Sequence, residues 1–188
     1  MGTNLGNRIN VVGTTGTGKT TVGRRLSKML GIPFVELDAL FWEPDWTGAP
    51  ESVFRERVED AVGEDHWVID GNYSRMRDVI WARVRTVVWL DFPLRTAFWQ
   101  LLRRTVRRAM TKEELWSGNR ESWMTSFGSR DSILVWLFRS YWRQRRRYPR
   151  LTCDRRYSHI NFVRLRSPAD TAYWLGKLSV EPTLSEPS

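Results

Sequence analysis

The segment Gly13-Thr14-Thr15-Gly16-Thr17-Gly18-Lys19-Thr20 follows directly on the apolar run Ile9-Asn10-Val11-Val12. A Gly-x-x-x-x-Gly-Lys-Thr stretch between a strand and a helix is a phosphate-binding loop. Its glycines let successive backbone N–H groups turn inward, and the helix behind adds the positive end of its dipole. Gly13, Thr14, Thr15, Gly16, Thr17, Gly18, Lys19, Thr20 and Thr21 are therefore the expected phosphate-binding residues. Lys19 reaches the β- and γ-phosphates in this reading, and the Thr20 hydroxyl binds Mg²⁺.

The rest of the chain repeats the strand–helix alternation that this first unit begins. Apolar runs at 33–37, 66–69, 86–90 and 160–165 read as four further strands after 8–12. Helices are expected at 18–30, where Gly31 supplies the stop, and at 51–62, 93–110, 132–148 and 169–178. Such alternation predicts a parallel sheet covered on both faces. The expected fold is an α/β, three-layer α/β/α P-loop NTPase fold with a five-stranded parallel sheet. Ligands bind at the carboxyl ends of such strands, where Gly13, Asp38, Asp70, Asp91 and Arg166 all fall. Residues 111–131, rich in polar residues and broken by Gly118 and Gly128, read as an insertion. One domain over 1–180 and a mobile tail over 181–188 complete the organisation.

The 188 residues are 41% hydrophobic, enough for a core of one domain. The longest apolar run, Ile133 to Phe138, is far short of the ~20 residues that span a bilayer. No basic segment followed by an apolar stretch opens the chain, so no signal peptide is read. Cys153 is the single cysteine, which excludes an internal disulfide and suits a reducing compartment. The cytoplasm is the expected location. The net charge of +9 is carried almost wholly by arginine, clustered at 103–104, 107–108 and 143–147. The last run reads as a solvated helix end.

Phosphoryl transfer asks for positioning, a metal and charge stabilisation. Asp70 closes the apolar strand His66-Trp67-Val68-Ile69 and has the form of a carboxylate that holds Mg²⁺ directly or through water, the alternative being a turn residue of the Asp70-Gly71 pair. No Asn-Lys-x-Asp segment follows a strand, as a guanine-selective GTPase requires. An ATP-dependent kinase remains.

The order of these landmarks resembles the adenylate-kinase and shikimate-kinase group of P-loop kinases, over about Arg8 to Leu178. The segments "VIDGNYSR" (68–75), "WLDFP" (89–93) and "LRSPADTAYWL" (165–175) are similar to that group's third strand, fourth strand and adenine-contacting loop with final helix. The combination looks closest to bacterial adenylate-kinase-like proteins labelled topology modulation proteins. The resemblance implies a helical lid over the insertion, an adenine contact near Arg166, a second-helix arginine at Arg104, and Asn72, Tyr73 and Arg75 on the acceptor. Gln100 stands where adenylate kinases carry an adenine-stacking arginine.

Asp38 falls where shikimate and gluconate kinases, by resemblance, keep an acceptor-binding or proton-accepting Asp. A carboxylate there orients an acceptor hydroxyl and takes its proton; the alternative is a turn cap. Trp42 and its aromatic neighbours form either an acceptor wall or core beneath the loop. Lys19, Asp38, Arg104, Arg120 and Arg130 are the expected catalytic side chains, because guanidinium forks neutralise transferring phosphoryl oxygens. The expected activity is transfer from ATP, with Mg²⁺, to a small acceptor, a nucleotide or nucleoside first. The alternatives are a sugar, hydroxy acid or other small alcohol as acceptor, and a nucleic-acid-binding ATPase.

Overall fold

A computed structural model describes residues 5–111, 116–119 and 133–180. Most of the expected lid insertion, with Arg120 and Arg130, and the tail 181–188 lie outside the described residues. The strands are β1 (Arg8–Gly13), β2 (Phe34–Glu36), β3 (Trp67–Asp70), β4 (Thr86–Leu90) and β5 (Asn161–Leu165), all parallel in the order β2-β3-β1-β4-β5. The helices are α1 (Lys19–Leu30), α2 (Leu37–Phe41), α3 (Glu51–Gly63), α4 (Arg77–Arg83), α5 (Leu94–Thr111), α6 (Ile133–Thr152) and α7 (Pro168–Val180).

Side chains alternate across a strand, so each central strand feeds both faces of the sheet. Trp67, Ile69, Val87 and Trp89 face a core built with α3, α4 and Tyr148 of α6. Val11, Val68, Val88 and Leu90 face the opposite core, closed by Val22 and Leu26 of α1 and Leu175 of α7. These are the three layers expected of strands that are apolar on both faces. Gly31 ends α1 in the left-handed region (φ 67°), and its N–H bonds the Ser27 carbonyl. Glycine is suited to that conformation because a Cβ is strained there.

Three elements differ from the sequence reading. β2 stops at Glu36, and the chain turns at once into α2, so Asp38 lies in the first turn of a helix, not at a strand end. The fully buried Leu37 pulls the backbone inward at that point, and an acidic residue in a first turn suits the helix dipole. α4 is a seven-residue helix, too short for a clear apolar period, held by the buried Ile80 and Trp81. α6 runs through Pro149 to Thr152, beyond the expected end at 148. Tertiary packing overrides propensity there: Tyr148 stacks on Trp89 at 5.2 Å, and Leu151 packs on the same core.

Asn10 is a polar side chain buried in the central strand. Asn10 Nδ2 donates to the Ile69 carbonyl at 3.2 Å, and its Oδ1 accepts from Trp81 Nε1 at 3.0 Å. Asn10→Ala therefore orphans a buried indole N–H, which costs about 1–3 kcal/mol. The expected result is a lower urea midpoint at unchanged m-value; an unchanged midpoint would show that Trp81 finds another acceptor.

Candidate active site

β1 delivers the loop and β3 the carboxylate. Val11 pairs with Asp70 across the two strands, so the loop, from Gly13, begins two residues past the level of the carboxylate. Thr20, in the first turn of α1, donates its hydroxyl proton to Asp70 Oδ2 at 2.6 Å. Lys19 lies on the same turn, its Nζ 3.3 Å from the Thr14 carbonyl. Burial lowers the Lys19 ammonium from its ordinary range, while the charges of Asp70 and Asp38 oppose that shift and Arg104 adds to it. Lys19 thus sits among Asp70, Asp38 and Arg104.

The loop is braced from outside as well as within. Thr17 donates to the Thr14 carbonyl through its hydroxyl at 2.7 Å. Gly16 has φ 83°, and a Cβ there would stand 2.4 Å from the Ala97 carbonyl oxygen and 2.8 Å from Leu101 Cβ. Only glycine fits between the loop and α5. On the other side, the Gly13 N–H donates to Asn72 Oδ1 at 3.0 Å, and Asn72 Nδ2 donates back to the Gly13 carbonyl. Tyr148 donates to the same Asn72 oxygen at 3.3 Å, its phenol pushed up to about 12 by burial.

One open cleft of about 1790 Å³ holds the loop, Asp38, Asp70, Trp42, Asn72, Tyr73, Arg75 and Arg104 together. Asp38 accepts from the Tyr73 hydroxyl at 2.6 Å. Burial, then the neighbouring Asp38, raise the Tyr73 phenol well above its ordinary value, so it stays a donor. Phe41, Trp42, Trp46, Phe54 and Tyr73 form a chain of ring contacts at 4.8–5.5 Å along this wall. All five rings line the cleft, and Phe41, Phe54 and Tyr73 also pack on the core. Asn119 holds the 42–46 turn, accepting from the Trp46 N–H at 2.9 Å and donating to the Glu43 carbonyl at 2.8 Å.

Arg75 lines the cleft and pairs with Glu51 at 3.0 Å. Arg166 is exposed at the end of β5 and is not among the residues lining the cleft; Pro168, Thr171, Ala172 and Leu175 line it on that side. Asp91 is tied to Arg164, which donates through Nε at 2.9 Å, and lies outside the cleft. The arginine run at 143–147 divides. Arg143 and Arg147 line the cleft, with Arg139, Gln144 and Tyr148 of the same helix, whereas Arg146 and Arg150 face only a shallower neighbouring groove. Arg143 and Arg147 are exposed, as a solvated helix end predicts, and they also border the cleft, which the run alone does not show. Their signal was the recurrence 139, 143, 147 with 140, 144, 148, two neighbouring rows of one helix face. Arg103, Arg104 and Arg107 form a comparable row on α5.

Across the described residues of the cleft, twelve cationic side chains face four carboxylates. That imbalance suits a strongly anionic occupant. Thr20 Oγ1 and Asp70 Oδ2, both hard oxygen donors at the phosphate loop, fit Mg²⁺, which takes one or two protein ligands and completes its shell with phosphate and water. The described residues hold no group of three or more His, Cys, Asp or Glu that would form an all-protein metal cage. No helix among them is long and apolar enough to cross a membrane.

Residues 9–124 match the model of the family described as AAA domain. A shikimate kinase of Parabacteroides distasonis is 42% identical over 57 residues, 30% of this chain and 32% of that protein. The HslU ATPase subunit of an ATP-dependent protease from Halalkalibacterium halodurans is 45% identical over 54 residues, 28% of this chain and 12% of that protein. The chain thus spans under a third of the first relative and about an eighth of the second. Among solved structures, a gluconokinase from Sinorhizobium meliloti superposes with a TM-score of 0.52 at 16% identity, covering 93% of this chain and 94% of that one. A shikimate kinase from Bacteroides thetaiotaomicron gives 0.52 at 18%, covering 91% and 95%. These likenesses place the chain in the P-loop α/β fold.

Asp70 supplies a pH test of the site. Burial lifts its carboxyl from the ordinary 3.8 to about 6, against the downward pull of the Thr20 hydroxyl and of Lys19. A raised acid costs nothing while it is protonated in both states, below about pH 4. The cost of ionising it in the fold grows as pH rises through 6 and is complete above. The protein without metal should therefore lose about 3 kcal/mol of stability between pH 4 and 8 through this group. Subtracting the urea unfolding curve of Asp70→Asn, which cannot ionise, isolates that loss; a pH-independent difference would place Asp70 in a wet site.

Proposed function

The chain belongs to the AAA-domain family, and from that premise we propose that it is an ATP-dependent kinase acting on a small hydroxyl-bearing acceptor of the hydroxy-acid or sugar class. One observation carries the reading: Asp38 stands in the same cleft as Lys19, Thr20 and Asp70, close enough for its charge to act on Lys19. The loop N–H groups and Lys19 hold the β- and γ-phosphates, and Thr20 and Asp70 hold Mg²⁺. The metal supplies charge neutralisation between those phosphates. Asp38 orients the acceptor hydroxyl and accepts its proton as the oxygen bonds to the γ-phosphorus. The bond from that phosphorus to the β–γ bridging oxygen breaks, and ADP leaves. Arg104, Arg143 and Arg147 face the charge on the transferring oxygens.

The nucleotide or nucleoside acceptor, first in the sequence reading, has less behind it. The kinases among the proteins named above are shikimate kinases and a gluconokinase.

Two measurements test the reading. A screen with γ-labelled ATP against hydroxy acids, sugars, polyols, nucleosides and nucleotides should label a member of the first three groups. ATP turnover stimulated by polynucleotide and by no small alcohol would overturn it, as would label entering nucleotides alone. With that acceptor in hand, Asp38→Asn should lower kcat by about 10²–10⁴ while ATP still binds; normal kcat and KM would leave Asp38 a helix-turn residue. Lys19→Ala should abolish transfer with the circular dichroism spectrum unchanged, because it removes a phosphate contact and no core volume. Wild-type turnover in that variant would remove the loop from the chemistry.

A further inference from the structure

Two consecutive side chains after β3 reach in different directions. Asn72 grips Gly13 with both ends of its amide, accepting the Gly13 N–H at 3.0 Å and donating to the Gly13 carbonyl. Tyr73 donates to Asp38 at 2.6 Å. Gly13 opens the phosphate loop, whereas Asp38 belongs to the opposite wall, on a separate helix behind the edge strand. Consecutive Cα atoms across a trans peptide are fixed at 3.8 Å, and no peptide bond in the described chain is cis. The grips on the two walls are therefore tied to one rigid spacer.

We propose that Asn72 and Tyr73 act together as a positioning pair that fixes the separation between the phosphate seat and the acceptor carboxylate. The proposal rests on the kinase reading, because it gives Asp38 an acceptor to orient. Neither residue touches the reacting atoms in it; each acts through the group that it holds. In-line transfer tolerates little error in the approach of the attacking oxygen, and a misplacement near 1 Å costs about 10²-fold. Lys19 and Thr20 fix the donor side through the loop, but α2 is a short helix on the outermost strand and needs its own anchor. The Tyr73 hydroxyl also occupies one oxygen of Asp38, which leaves the other for an acceptor hydroxyl. The anchor is itself stiffened: the Tyr73 ring is wedged between Phe41 at 5.1 Å and Phe54 at 4.8 Å, and Tyr148 braces the Asn72 amide.

Tyr73→Phe keeps those ring contacts and removes only the hydroxyl. ATP turnover is read with Mg-ATP and water as the acceptor, then with shikimate and with gluconate added, in wild type, Tyr73→Phe, Asp38→Asn and the double variant. Tyr73→Phe should lower kcat about 10-fold or more with ATP KM within twofold of wild type. In the Asp38→Asn background it should add nothing, because the group that Tyr73 holds is already disabled. Asn72→Ala should instead raise the Kd of Mg-ATP about 10-fold by calorimetry, since it frees the mouth of the loop. Unchanged circular dichroism and melting temperature in Tyr73→Phe exclude misfolding as the cause. A slow Asp38→Asn beside a full-speed Tyr73→Phe, or effects of the two that simply multiply, would overturn the positioning pair and leave the kinase reading standing. A full-speed Asp38→Asn would remove the role given to Asp38 and the pair with it.

Discussion

The parallel pairing of β1 with β3 sets the geometry on which the remainder of the site depends. Because Val11 lies opposite Asp70, the chain leaving β1 turns over the end of β3, and Thr20 comes back to within 2.6 Å of that carboxylate. The same adjacency puts Gly13 beside Asn72, two residues past the end of β3. Beyond the loop itself, this path uses one positive-φ glycine, Gly71 (φ 135°), between Asp70 and Asn72. A strand order with β3 between β1 and the edge strand is enough to bring the phosphate loop, the Asp70 carboxylate and α2 to one rim of the sheet.

The electrostatics of that rim follow from burial against a positive surround. Lys19 and Asp70 are each pushed toward neutrality by burial and pulled back toward charge by one another. Opposite charges brought near one another by burial in this way add little stability, because desolvation offsets the attraction. In the proposed reaction the ammonium would meet phosphate oxygens and the carboxylate a divalent cation. The arginine rows of α5 and α6 surround both groups with charge that the few carboxylates of the cleft leave largely unbalanced.

Most of the fold was legible because strands buried on both faces are continuous apolar runs, and each of the five lies close to its run. The loop was legible because backbone chemistry leaves few ways to wrap a phosphate. What escaped notice was whatever depends on partners distant in sequence. Asp38 reads as a strand end until Leu37 is seen to be buried. α4 has too few turns to show a period, and Pro149 argues for a helix end that the Tyr148–Trp89 stack overrides. The arginines at 143 and 147 were hidden by their abundance, since four arginines within five residues conceal which of them share a face. The Asn72–Gly13 and Tyr73–Asp38 contacts span 59 and 35 residues, and no local pattern encodes either.

The seat of Gly16 shows how a motif letter acquires its identity. In Gly-x-x-x-x-Gly-Lys-Thr the fourth position is free, so the phosphate alone would accept many residues there. Here the backbone of α5 comes within 2.4 Å of where a first side-chain carbon would be. The helix that carries Arg103, Arg104 and Arg107 is thus seated directly on the loop, and the two behave as a single casting. Sequence drift at position 16 is closed off by a neighbour 81 residues downstream, and any design that re-aims those arginines must begin by refitting that one contact.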